Sequence, residues 1–284
     1  MSLTRRELMK QAGALGLLGG GIGRLARAGE RLIPWHNWSG AQVCIPAARL
    51  APNDEGELAG MLKAAKGPVR AVGSGHSFSA LVPTDGTLLS LSNMSGMIGS
   101  DASRLQSEFW AGTRVADMGE PLRQAGLAMP NMADIDYQTI AGAIATSTHG
   151  TGPKFGSYST QVAGLRLVTA GGEVLDLDAQ HQPELFNAAR VSLGALGVVT
   201  RVRLQNRKAF RLHQKQWVQK TEELLEDIDR LIRENDHFEF NAIIHSDVAV
   251  AQAQNETTET ATLAKAGGGD GDALGKLAAV DTYL

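Results

Sequence analysis

Val72-Gly73-Ser74-Gly75-His76-Ser77-Phe78 takes a short apolar run, Val69 to Val72, into a glycine turn that ends on a histidine. The run reads as a strand. Glycine at 73 and 75 permits positive φ and leaves backbone N–H groups bare toward a ligand. Successive N–H groups in such a turn form a concave anion site suited to a pyrophosphate. His76 then stands beside whatever the turn holds, with a nucleophilic ring nitrogen. A Gly-x-Gly turn is weak evidence alone, because many such turns only reverse the chain and a loop histidine is often a solvated donor.

A second stretch strengthens it. Ile140-Ala141-Gly142-Ala143-Ile144-Ala145-Thr146-Ser147-Thr148-His149-Gly150-Thr151-Gly152 is dominated by small residues, so its backbone can lie against a large planar ligand. A buried helix start packed through small side chains would explain the Ala and Gly. It would not explain the hydroxyls of Thr146, Ser147 and Thr148 followed by His149 and Gly150.

Together the two stretches resemble the flavin motifs of the vanillyl-alcohol-oxidase-type (PCMH-type) FAD enzymes, above all the sugar-1,4-lactone and alditol oxidases. Ser147 stands where that family usually has glycine. The resemblance implies FAD held by Gly73, Ser74, Gly75, His76, Ser77 and Phe78, with His76 bonded covalently to the flavin 8α carbon. Ala111-Gly112-Thr113, after the strand-like Glu108-Phe109-Trp110, matches the position where backbone meets the isoalloxazine, which adds Gly112 and Thr113. Pro130 and Thr139 flank the approach to the second motif, whose implied contacts are Gly142, Ala143, Thr146, Thr148, His149 and Gly150. Leu193 to Thr200 resembles a further family segment and implies Val198 and Val199 on the adenine side. The likeness covers residues 33–260, is specific at 72–78, 140–152 and 193–200, and is diffuse elsewhere.

The implied activity is oxidation of a CH–OH group in a sugar lactone or polyol, with electrons passed to oxygen or another acceptor. The flavin would take the hydride at N5. Other readings keep the fold: a flavin-binding remnant without turnover, a subunit completed by a second chain, or an NADPH-dependent relative. The last fits poorly with His76 and with an exported address. No catalytic base is named in the residues present.

That address is read in residues 1–28. Arg5-Arg6 precedes an apolar run, Ala12 to Ile22, and Ala26-Arg27-Ala28 supplies small residues before Gly29. The layout is that of a twin-arginine export signal and implies the twin-arginine machinery and a periplasmic or secreted protein. The run is too short and glycine-rich for a stable membrane span, which needs about 20 apolar residues. Gly21-Ile22-Gly23-Arg24-Leu25-Ala26 fits a dinucleotide fingerprint, but no strand precedes it and no acid follows at the expected distance. The twin-arginine route carries folded proteins, which suits a flavin inserted before export.

The net charge of −3 gives no basic footprint and argues against a nucleic-acid partner. Cys44 is the single cysteine, so no internal disulfide forms, and a buried, inert thiol is expected. The seven histidines are scattered without metal-ligand spacing.

Short helices set between hairpins indicate an α+β fold, in agreement with the two-part flavin domain that the resemblance implies. The expected organisation is a flavin domain over 29–207 and the start of a substrate-covering α+β domain over 208–284. An irregular segment opens at Trp35-His36-Asn37-Trp38. A helix is expected over Glu57 to Lys66, capped by Asp54 and stopped by Gly67-Pro68. Others are expected over Arg114 to Gln124 and Pro183 to Val191. A hairpin is expected about Gly171-Gly172, with strands at Leu88 to Leu91, Val198 to Leu204 and Phe210 to Val218. A charged helix over Thr221 to Asn235 should turn Leu224, Leu225, Ile228, Leu231 and Ile232 inward. His237 and Glu239 suit an acid–base pair by type, but structural strand positions fit them better. Gly267 to Gly271 reads as flexible, and a helix is expected from Leu274. The family's C-terminal His-Trp-Gly-Lys motif is not found, so the sequence reads as a truncated member or one whose remainder lies on another chain.

Overall fold

A computed structural model describes residues 33–260. The readings made on residues 1–28, on Gly267 to Gly271 and on the helix from Leu274 fall outside the described residues. The fold is α+β.

Two very short strands, β1 (Trp35–His36) and β2 (Val43–Cys44), pair antiparallel where an irregular segment was expected. Cys44 is half-buried, not buried. A small parallel sheet follows: β3 (Ala48–Leu50), β4 (Val69–Val72) and β5 (Thr87–Ser90), with β5 in the centre. Helix α1 (Glu55–Ala64) connects β3 to β4. Asp54 caps it by accepting from the Glu57 N–H at 2.8 Å, which satisfies one of the free donors of the first turn. Leu58 and Leu62, four residues apart, point to one side and pack with Leu89, Leu91, Met94, Ala111, Val168 and Val198.

The larger sheet contains β6 (Met97–Asp101), β7 (Gln106–Trp110), β9 (Val162–Val168), β10 (Val174–Asp178) and β11 (Val198–Gln205). Its order is β10-β9-β11-β7-β6, antiparallel throughout. β11 alternates as the sequence suggested: Val198, Thr200, Val202 and Leu204 are buried, and the arginines between them face outward. The inner face packs under α2 (Gly119–Gln124), α3 (Ile140–Ala145) and α4 (Pro183–Ala189), around Phe109, Tyr158 and Leu204. The helix expected over Arg114 to Gln124 is divided, with a 3-10 turn at Val115–Asp117 ahead of α2. Pro121 explains the division, since proline is tolerated only in the first turn of a helix. On the outer face Glu55 receives Arg201 at 2.8 Å and Arg166 at 3.4 Å, and Arg166 also pairs with Asp176 at 2.7 Å. A two-stranded ladder joins β8 (Leu127–Ala128) to β12 (Arg207–Lys208).

The last sheet has β13 (Leu212–Lys220), β14 (His237–Ala242) and β15 (Val248–Glu256), in the order β13-β15-β14. Helix α5 (Thr221–Glu234) buries Leu224 and Leu231 against Ala249 and Ala251. Leu225, expected inward, is half exposed. Among the described residues no helix is long and apolar enough to cross a membrane.

Candidate functional site

The glycine turn after β4 and the N-terminus of α3 touch. A side chain at Gly73 would collide with the Thr139 hydroxyl. Ser74 Oγ donates to the Tyr137 carbonyl at 2.5 Å. Thr139 caps α3, its side chain accepting from the Gly142 N–H. Residues 111–115 run alongside: Ile140 N donates to Thr113 O at 2.8 Å and Val115 N to Gln138 O at 2.9 Å. Ala111 N donates to Thr200 O at 2.8 Å, which brings in the start of β11. Segments separated by over a hundred residues therefore meet.

They meet around a cavity of about 470 Å³. Of the expected cofactor residues, Gly73, Ser74, Gly75, His76, Ser77, Gly112, Thr139, Gly142, Thr146, Val198 and Val199 line it. The others do not. Phe78 projects outward and is 65% exposed. Thr113 is buried and spends its hydroxyl on the Trp110 carbonyl at 2.6 Å. Ala143 packs in the main core. Thr148 binds neighbouring backbone, its N–H on Ala143 O at 2.9 Å and its carbonyl accepting from Tyr158 N at 2.8 Å. The exposed His149 ring lies 2.9 Å from the Gly150 carbonyl, and Gly150 abuts the Met132 carbonyl. Pro130 lines a second cavity.

Gly75 has φ +68°, the left-handed conformation for which the turn needs glycine. Ser147 also has positive φ, +54°. This is the one place where the sequence departs from the resembled motif, and the backbone still takes the shape glycine favours. The His76 ring stacks on Trp38, with centroids 4.7 Å apart and planes inclined by 18°.

Two residues missed from sequence also line the large cavity. Gln138 and Arg190 each carry a buried polar atom, Oε1 and Nε respectively, with no hydrogen-bond partner among the described residues. Burying such atoms unpaired is costly. An unpaired acceptor and an unpaired donor on two lining residues fit a ligand with both kinds of group, as a flavin dinucleotide has, although the rest of the Arg190 guanidinium is bonded to Ser159 O at 3.3 Å and Asn187 Oδ1 at 2.6 Å. Arg190 lies just ahead of the recognised 193–200 segment, which was the available signal.

The second cavity, about 430 Å³, lies between the loop 130–134 and the β13-β15-β14 sheet. Asp134, Glu239, Gln252 and Gln254 line it. Gln252 Nε2 donates to Glu239 Oε1 at 3.0 Å. Burial, and then the neighbouring Asp134 carboxylate, push the Glu239 carboxyl above its ordinary range. His237 is fixed structurally: its ring stacks on Phe155 at 4.7 Å, and its Nδ1 lies 3.1 Å from Thr151 O. His237 and Glu239 are both strand positions, on β14. Among the described residues no cluster of three His, Cys, Asp or Glu side chains suits a metal ion.

Comparison with known proteins agrees with this geometry. Residues 46–178 match a family model described as an FAD binding domain, and residues 202–279 match one described as D-arabinono-1,4-lactone oxidase. The chain belongs to the PCMH-type FAD-linked oxidase family. It is 41% identical over 224 residues to the L-gulono-1,4-lactone dehydrogenase of Mycobacterium tuberculosis, covering 78% of this chain and 52% of that protein. It is 32% identical to the L-gulonolactone oxidase of Bos taurus over 222 residues, covering 77% and 50%. With the D-arabinono-1,4-lactone oxidase of Eremothecium gossypii it shares 34% identity over 198 residues, covering 67% and 37%. The chain thus spans about half the length of the curated relatives it matches.

Proposed function

We propose that this chain is the FAD-holding part of an oxidoreductase that oxidises a CH–OH group of a sugar-1,4-lactone or an alditol, passing electrons to oxygen or another acceptor. The observation that carries the reading is the convergence of residues 73–77, 139–146 and 197–199 on one cavity, lined also by Gln138 and Arg190, each with a buried polar atom that has no partner among the described residues. The three relatives named above, all lactone dehydrogenases or oxidases, support the substrate class.

The backbone of Gly73 to Gly75 offers N–H groups to a pyrophosphate. Gln138 Oε1 would accept from the cofactor and Arg190 Nε would donate to it, while His76 supplies the ring nitrogen for a covalent link to the 8α carbon. FAD, when bound, supplies a two-electron acceptor whose N5 takes the hydride. On the substrate side, the carboxyl and amide groups of Asp134, Glu239, Gln252 and Gln254 are of the kind that pair with hydroxyls. Holding the reacting carbon at about 3–3.5 Å from its acceptor is the main task left to the protein.

The test is anaerobic mixing of the flavin-loaded protein with L-gulono-1,4-lactone, D-arabinono-1,4-lactone and a panel of alditols. Loss of flavin absorbance with at least one of them is expected. Unchanged absorbance with all of them contradicts the substrate class. The paired arginines at 5 and 6 motivate the further proposal that the protein is exported to the periplasm or beyond. Fusing residues 1–28 to a reporter, with Arg5 and Arg6 replaced by lysine as control, tests it. Export that is indifferent to both arginines would contradict a twin-arginine route.

A further inference from the structure

The segment carrying β1 and the turn after it is clamped onto the His76 loop. Trp38 N donates to Gly75 O at 2.8 Å, and Asn37 Nδ2 donates to Ser77 O at 2.9 Å. Gln42 Nε2 donates to Phe78 O at 3.1 Å and Gln42 N to Asn37 Oδ1 at 3.0 Å. A side chain at Gly75 would press on the Trp35 ring at 3.1 Å. These bonds fix the backbone of the loop but not the imidazole. Among the described residues no hydrogen bond engages either ring nitrogen of His76. What sets the plane of that ring is the Trp38 stack, at 4.7 Å and 18°. Phe78 in turn meets Trp38 edge-on at 6.2 Å.

Trp38 is 65% exposed, although a large aromatic side chain at the surface forfeits burial. Its role is therefore poorly explained by the core. A histidine held by hydrogen bonds has one nitrogen committed and its basicity altered. A histidine held by stacking keeps both nitrogens free while its plane is restricted, which is what a nucleophile needs.

We infer that Trp38 is a positioning residue for covalent flavin attachment, holding the His76 imidazole by its face so that a ring nitrogen stays free to react. The inference rests on the covalent link proposed above. In the reaction a bond forms between that nitrogen and the 8α carbon. One proton leaves the methyl group and one leaves the imidazole. The two electrons stay in the flavin until dioxygen accepts them, giving hydrogen peroxide.

The experiment uses the 284-residue chain prepared without flavin and then supplied with FAD in air. Total bound flavin is read by absorbance, and attached flavin by fluorescence of the band in a denaturing gel over time. Wild type is compared with Trp38→Phe, Trp38→Leu, Trp38→Ala and His76→Ala. Wild type should become labelled and His76→Ala should not. Trp38→Leu and Trp38→Ala should bind FAD but acquire the label about threefold to tenfold more slowly, the scale of an aromatic contact. Trp38→Phe should recover most of the rate, a recovery that general packing does not predict because leucine is also apolar. Equal rates for phenylalanine and leucine overturn the assignment, as does a wild-type rate in Trp38→Ala. If the alanine variant binds no FAD, the phenylalanine-to-leucine comparison decides. An unlabelled wild type that binds FAD contradicts the covalent link itself and removes the inference with it.

Discussion

At Ser147 the chain departs from the family motif in chemistry but not in shape. Its φ of +54° costs an L-residue about 1 kcal/mol relative to glycine. Ser147→Gly is therefore expected to raise unfolding stability by about 1 kcal/mol, measured by urea denaturation, with FAD binding retained. Glu239 gives a pH-dependent counterpart. Burial and the Asp134 charge raise its folded pKa, so the folded state favours the protonated form. Its favourable contribution is full below the ordinary glutamate range and is lost as pH rises through the folded value. Glu239→Gln should then raise the melting temperature near neutral pH, by an amount that shrinks toward acid. A gain independent of pH would contradict the shift. At this scale the sequence was informative at Gly75, which takes the expected positive φ, whereas Gly73 does not and needs glycine for the close approach of Thr139 instead. It could not reveal Gln138 or Arg190, whose types are common and whose open polar atoms exist only once distant loops meet.

At the scale of elements, α1 shows how a short helix positions the site. It connects two parallel strands and ends ahead of β4, which delivers the glycine turn. Losing the Asp54 cap should cost about 1 kcal/mol, so Asp54→Ala is expected to lower the unfolding free energy by that amount, read from the urea midpoint at an unchanged slope. Glu55, in the first turn, ties α1 to the larger sheet. Burial alone would raise its pKa, but hydrogen bonds from Thr200 and Arg201 and the charges of Arg201 and Arg166 lower it. A lowered folded pKa stabilises above the ordinary glutamate range, and that contribution is lost as pH falls through the folded value. Glu55→Gln should cost about 2 kcal/mol near neutral pH, with a smaller difference in acid; thermal melts across pH measure it.

The Asp54 cap of α1, the β9-β10 hairpin and the alternation of β11 were legible because capping residues, glycines and period-two patterning agree there, although α1 runs Glu55–Ala64, two residues ahead of the expected Glu57 to Lys66 at both ends. The split before α2 was not read, although Pro121 signals it. Leu225 was misplaced because helical periodicity gives the direction of an apolar stripe but not the width of the surface that covers it. The pairing of β1 with β2 left no trace in two-residue strands too short to alternate.

For the whole molecule, the α+β fold and the family followed from motifs far apart in sequence, and the second cavity did not. That cavity depends on how the β13-β15-β14 sheet meets the loop 130–134, a contact between surfaces with no motif of their own. Ligand linkage reaches the whole chain: FAD binding only the folded state should stabilise it by about 2.7 kcal/mol when free FAD is a hundred times its dissociation constant. The central claim is that the cavity built by 73–77, 139–146 and 197–199 holds one FAD. Its most direct test is an absorbance titration of the folded, flavin-free chain with FAD. Saturation at one flavin per chain, weakened by charge reversal at Arg190, is the predicted result. A folded chain that takes up no FAD contradicts it.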